Sequence, residues 1–141
     1  MKLGHSDGVG ASLLRKEDDR FLRGKGQYIG DISLDGTRDV AFVRATVWHA
    51  RLLGVQIPDA VRSSVFTAED LTGVKPIRAV SPLPGFKPSE QPPLVTDKIR
   101  HVGELIAMCV ADTRAEAEDI AAQITVDCDV LPAVVDMLDP Q

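Results

Sequence analysis

Few of the residues that carry redox or nucleophilic chemistry are present in this chain. Of 141 residues only two are cysteine and three histidine, and aromatics make up 4%. Cys109 and Cys128 lie in separate apolar stretches and form no Cys-x-x-Cys pair, and the cytosolic setting expected below disfavours a disulfide, which predicts two buried, inert thiols. An iron–sulfur cluster takes four ligands, so this chain cannot hold one alone. His5, His49 and His101 show no metal-ligand spacing such as His-x-x-x-His. Neither Ser63 nor Ser64 sits in a nucleophile-elbow pattern. The glycines Gly4, Gly8 and Gly10 lack the strand before them and the Gly-Lys-Ser/Thr after them that a phosphate loop requires.

Long apolar runs are missing too. None approaches the roughly 20 residues that span a bilayer, and Met1 to Ser6 lacks the apolar core of a secretory leader. A soluble, cytoplasmic protein without membrane contact is expected. The net charge is −5 with no basic cluster, which argues against nucleic acid as the main partner.

What is present is an ordinary globular composition, 44% hydrophobic and 26% charged, sufficient for one core. Residues 1–14 are small and polar and predict a flexible tail. Asp39–Trp48 is rich in β-branched and aromatic residues and predicts a strand. A second strand is expected over Leu52–Ile57, then a turn or helical piece at Pro58–Arg62 and a third strand at Ser64–Thr67. Thr67-Ala-Glu-Asp70 has the spacing of a helix N-cap with acidic residues in its first turn. Residues 74–97 hold Pro76, Pro82, Pro84, Pro88, Pro92 and Pro93, which predicts a long extended loop. An inter-domain linker is the competing reading, although neither flank is long enough to be a comfortable domain.

The C-terminal third is the plainest. Leu105–Ala111 is apolar on both faces, as a doubly buried strand is. Thr113 and Glu116 have capping-box spacing. Ala117, Ile120, Ala121 and Ile124 recur at helical intervals, with Arg114, Glu118 and Asp119 facing outward. Ile124–Val130 alternates as a half-wet strand, and Pro132 ends it. The fold class expected is α/β (α+β): a mixed sheet with one main helix at about 113–123.

The densest stretch of charge lies at residues 15–31. Glu17, Asp18, Asp19, Arg20 and Arg23 surround Phe21-Leu22, with Gly24, Gly26 and Tyr28 following. A solvated helix face is one reading. The apolar Phe21, Leu22 and Tyr28, and two glycines unsuited to a helix interior, favour an extended docking segment instead. Its aromatic anchors would be buried, and Arg20 and Arg23 would make forked hydrogen bonds. The candidate interface is therefore Arg20, Phe21, Leu22, Arg23 and Tyr28.

This run resembles the opening of the molybdenum-binding large subunit of the xanthine dehydrogenase, aldehyde oxidase and carbon monoxide dehydrogenase family. That signature reads Arg-x-Glu-Asp-x-Arg-Phe-x-x-Gly-x-Gly-x-Tyr-x-x-Asp. Arg15, Glu17, Asp18, Arg20, Phe21, Gly24, Gly26, Tyr28 and Asp31 fall on it. The resemblance continues through Val43-Arg44-Ala45, His49-Ala50, Thr67–Leu71, Pro93-Leu94, Ile99–Ala107, Ala111–Thr113 and Leu131–Asp136. It departs at Arg62–Val65, where the family often has Pro-Gly-Val, and at Trp48, where a small or polar residue is common.

The resemblance implies an α/β hammerhead over 32–136, with 137–141 a C-terminal end or a truncated linker at the point where the family continues into its next domain. In the family the catalytic glutamate and the molybdopterin-binding residues lie beyond Gln141. Gly103-Glu104 therefore marks a tight joint of the domain and no catalytic group; Glu104 could bond an arginine or a backbone amide. The implied chain holds no cofactor itself. Molybdopterin (Mo), 2Fe–2S and FAD belong to the full complex, on a molybdopterin-binding subunit or domain, a 2Fe–2S subunit and an FAD subunit. Two functions compete: a structural part of a molybdenum hydroxylase, as a small subunit or an N-terminal fragment, or a freestanding hammerhead module binding a small ligand or a protein partner through its proline-rich loop.

Overall fold

The computed structural model describes Val9 and residues 14–138. The chain divides into two compact units, Met1–Gly36 and Thr37–Gln141. The expected tail over 1–14 lies, apart from Val9 and Leu14, outside the described residues, as do residues 139–141.

In the first unit a short helix, α1 (Asp18–Leu22), is followed by a 3-10 turn at Ile29–Asp31. Residues 18–22 are thus helical where an extended course was expected. The reason lies in Gly24, which adopts φ +67° just beyond the helix. The Gly24 N–H donates to the Phe21 carbonyl at 3.0 Å and the Lys25 N–H to the Arg20 carbonyl at 2.9 Å. That pair of bonds is a Schellman stop, and glycine is the residue that reaches its left-handed position without strain. Gly24 closes the helix from outside instead of weakening it from within.

The second unit holds two three-stranded sheets. Strands β1 (Asp39–Arg44), β2 (Ala50–Gln56) and β3 (Val65–Phe66) precede the proline-rich loop. Inside the loop, β4 (Ile77–Arg78) and β5 (Glu90–Gln91) form a two-stranded clasp that the proline content did not foretell. After it come β6 (Lys98–Ile99), β7 (Leu105–Ala111), the helix α2 (Arg114–Ala122) and β8 (Thr125–Val130). The sheet orders are β1-β7-β3 and β6-β2-β8. Every described ladder is antiparallel, so the mixed sheet expected resolves into two antiparallel ones.

Central position explains the apolar run of β7: it pairs with β1 on one edge and with β3 on the other, and Ile106, Ala107 and Cys109 are fully buried. The helix α2 places Ala117 in the core with Ile120 and Ala121 beside it, while Arg114, Glu118 and Asp119 stay in water. Its Thr113 Oγ1 accepts the Glu116 N–H at 3.3 Å, and Glu116 returns to the Thr113 N–H at 3.2 Å. Strand, helix and strand do not share one sheet, however. The chain leaves β7 in one sheet and enters β8 in the other.

A second crossing between sheets shortens β1. A continuous strand to Trp48 was expected, but Ala45 already bonds outside it: its N–H reaches the Glu104 carbonyl at 2.9 Å, and its carbonyl accepts the Gly103 N–H at 2.8 Å. The chain then turns through 46–49 and begins β2 at Ala50, two residues earlier than the sequence suggests. Ala45, Ala50, Val95, Ile99 and Ile106 form the core at this crossing. Cys109 is buried, which pushes its thiol pKa up, whereas Cys128 is only half-buried.

Candidate functional site

The five candidate interface residues lie on or just after α1. Glu17 and Arg20 pair at 3.8 Å, and the Arg23 Nε donates to Asp19 Oδ1 at 2.7 Å, one helical turn apart. Within the segment Arg23 thus makes one hydrogen bond and Arg20 a looser ion pair. The Arg20 guanidinium sits 5.0 Å from the Phe21 ring centre, within cation–π range. Phe21 and Tyr28 stack with centroids 6.1 Å apart and planes 15° from parallel. The Tyr28 N–H donates to Asp31 Oδ2 at 2.9 Å, fixing the turn that carries the second ring.

Gly26 lies between the two aromatics because the rings leave no room for a side chain. A Cβ there would stand 2.9 Å from Phe21 Cδ1. The signature spacing is therefore a local folding code: helix, Schellman glycine, spacer glycine, stacked tyrosine and capping aspartate. The anchors themselves are not buried. Phe21 is 41% exposed, Tyr28 65% and Leu22 87%. Three apolar side chains thus stand exposed on a segment that pairs Glu17 with Arg20, Asp19 with Arg23 and Asp31 with the Tyr28 N–H.

The Gly103-Glu104 joint sits in the second unit between β6 and β7. Gly103 takes φ +85°, a conformation that costs a side-chain-bearing residue roughly 1–2 kcal/mol. Its carbonyl accepts from Arg44 Nη1 at 3.0 Å. Glu104 is 5% exposed and is the buried charged residue of the described core. Its carboxylate accepts the Arg100 N–H and lies 3.6 Å from Arg100 Nη1 and 4.0 Å from His101 Nδ1. The carboxylate holds the β6–β7 turn closed and faces no open substrate site.

A further carboxylate site closes the 3-10 turn at Ala68–Asp70. Asp70 accepts Arg62 Nη2 at 2.8 Å and the Thr67 N–H at 2.8 Å. The Arg62 guanidinium, with Thr67 behind it, holds the Asp70 carboxyl below the usual aspartate range. The acidic first turn read from the sequence is here, with Asp70 bonding back to the Thr67 backbone N–H.

His49 and His101, separate in sequence, line one cavity with Trp48. Sequence spacing could not reveal this, because the pairing of β2 with β6 brings them together. Among the described residues no group of three or more His, Cys, Asp and Glu is placed to hold a metal ion. No described helix is long and apolar enough to cross a membrane.

Two small antiparallel sheets and a capped helix, in a chain carrying this signature, define a known class. Residues 23–132 match the family described as aldehyde oxidase and xanthine dehydrogenase, a/b hammerhead domain, and the chain belongs to that family. It is 32% identical over 133 residues to the nicotine 6-hydroxylase large subunit of Paenarthrobacter nicotinovorans, covering 91% of this chain and 16% of that protein. It is 33% identical over 128 residues to the carbon monoxide dehydrogenase large chain of Hydrogenophaga pseudoflava, covering 88% and 15%. The solved quinoline 2-oxidoreductase from Pseudomonas putida 86 superposes with a TM-score of 0.81 at 39% identity, over 89% of this chain and 16% of that one. The chain thus spans about one sixth of the length of the relatives it matches.

Proposed function

We propose that this chain is a non-catalytic structural and assembly part of a molybdopterin-dependent hydroxylase complex. Such a complex would oxidise an aldehyde, an N-heterocycle or carbon monoxide with oxygen derived from water. Its partners would be a molybdopterin-binding subunit or domain, a 2Fe–2S subunit and an FAD subunit. The observation that carries the reading is that 91% of this chain aligns with 16% of a nicotine 6-hydroxylase large subunit, and 89% of it with 16% of a solved quinoline 2-oxidoreductase chain.

The chain's own donors support an assembly role. Cys109 is fully buried in one sheet and Cys128 belongs to the other, so the two thiols do not make a cluster site that needs four ligands. The donor set does not fit a 2Fe–2S cluster, and no redox step is assigned to this chain. Phe21, Leu22 and Tyr28 offer an apolar surface to a partner instead, with Arg20 and Arg23 at its rim.

Affinity purification of the tagged chain from its native host tests the proposal. Molybdenum, iron and flavin should co-elute with it together with larger polypeptides. Recovery of the chain alone, free of partners and metals, would refute the reading.

A further inference from the structure

A cavity of about 530 Å³ opens in the second unit where the 46–49 turn, β6 and residues 132–135 meet. Its lining contains Trp48, His49, Lys98, Arg100 and His101, with apolar walls from Val102 and the 132–135 stretch. No carboxylate lines it, although the chain as a whole carries a net charge of −5. Basic side chains have been concentrated here against the overall balance.

The cations differ in how far they are already engaged. The two terminal nitrogens of Arg100 lie 3.6 Å from Glu104 and 3.6 Å from Asp97, and Nη1 also donates to the Lys98 carbonyl at 2.6 Å. Arg100 is therefore fixed in place and largely neutralised. Lys98 has no ion-pair partner among the described residues. His49 uses Nδ1 on the Pro132 carbonyl, which orients its ring and leaves Nε2 free of that contact. The indole of Trp48, more than half exposed, lines the same cavity as this unpaired ammonium.

An uncompensated ammonium, an exposed indole and an apolar wall lining one cavity are a recognition pattern for one ligand chemistry. The cations attract an anionic group, while the indole and the valines reward a flat apolar body. The volume lies within the range of small-molecule sites, about 300–1,000 Å³. We propose that this cavity binds a planar organic anion of the aromatic carboxylate class. The carboxylate would meet Lys98 with Arg100 behind it, and the ring would lie against Trp48. This site is independent of the assembly role, because none of its residues belongs to the 15–31 segment.

Trp48 is the single tryptophan of the chain, so its fluorescence reports on this cavity alone. Benzoate titrated into the full chain should give a saturable change in that fluorescence. Acetate and benzyl alcohol, which each carry one half of the pattern, should bind at least about tenfold more weakly. Lys98→Gln should raise the benzoate Kd about tenfold, with thermal unfolding unchanged. Trp48→Phe, followed by calorimetry, should keep part of the affinity because a ring remains. The proposal is overturned if the benzoate signal does not saturate, if acetate equals benzoate, or if Lys98→Gln leaves the Kd unmoved. Tighter binding of an acidic peptide than of benzoate would also overturn it, by assigning the cavity to a protein partner.

Discussion

Phe21 stacks on Tyr28 with ring centres 6.1 Å apart, and the residue between them that permits it is Gly26. Both rings are exposed, Phe21 by 41% and Tyr28 by 65%, so their stacking contributes little to a core. It holds a preorganised apolar face in place.

Phe21→Ala should therefore separate assembly from stability. Truncating an aromatic anchor at an interface costs about 2 kcal/mol or more, about thirtyfold in affinity. The Kd for the partner subunits should rise by that factor, while the melting temperature of the isolated chain stays nearly constant. An unfolded isolated chain with unaltered assembly would show that the ring belongs to the core.

Glu104 is the opposite case, a charge whose removal should be felt in stability. Glu104→Ala leaves the Arg100 N–H without its part-buried acceptor and deletes the contacts to Arg100 and His101. A loss of about 2 kcal/mol is expected in urea unfolding. Glu104→Gln keeps an acceptor oxygen and should lose about half as much, since Arg100 is itself partly solvated. Equal losses for both variants would mean that charge dominates over the backbone bond.

Thr113 caps α2 through a reciprocal pair of bonds with Glu116. Thr113→Ala should cost roughly 1 kcal/mol. Thr113→Ser, which keeps the hydroxyl, should recover most of it. A change indistinguishable from zero in urea melts would remove the cap from the list of stabilising contacts.

Asp70 predicts an acid-limb effect. Its carboxyl titrates below the usual aspartate range because Arg62 and Thr67 bond the ionised form. The native state then binds the proton less readily than the unfolded chain does. The stabilisation is present above the unfolded-state value and is lost as pH falls through the folded one. The gap in unfolding midpoint between the natural chain and Asp70→Asn should thus shrink steadily toward low pH. A gap independent of pH would leave only a neutral hydrogen bond at this position.

Local periodicity made the C-terminal third legible: β7, α2 and β8 each carry enough residues for the pattern to speak. The two-residue strands β4, β5 and β6 have no period to read, and β6 exists only because β2 lies beside it. Glycine was the ambiguous letter. In Gly24 it was weighed as a helix breaker, although the acidic start and basic end around Phe21 were the signal for a helix closed by that glycine. The signature drew attention to 15–31 through its charges and aromatics, but its spacing did not show the helix-and-turn geometry that joins Phe21 to Tyr28. The cavity residues were invisible for a different reason. Trp48 and His49 lie about fifty residues from Lys98 and His101, and only the sheet order joins them.

The same sheet order ties the fate of the two halves of the hammerhead together. β1, β2 and β3 come before the proline-rich loop, and β6, β7 and β8 after it. Each ladder of the two larger sheets joins a strand from one side of the loop to a strand from the other. No strand of either half can satisfy its backbone within that half. The proline-rich loop must therefore close before any of these ladders forms, which places the unit among slow folders of high contact order. The loop is a tether that brings two complementary combs together. A chain nicked between Val80 and Phe86 would keep its sheets as a two-fragment complex, while either fragment alone would have none of these ladders to fold around.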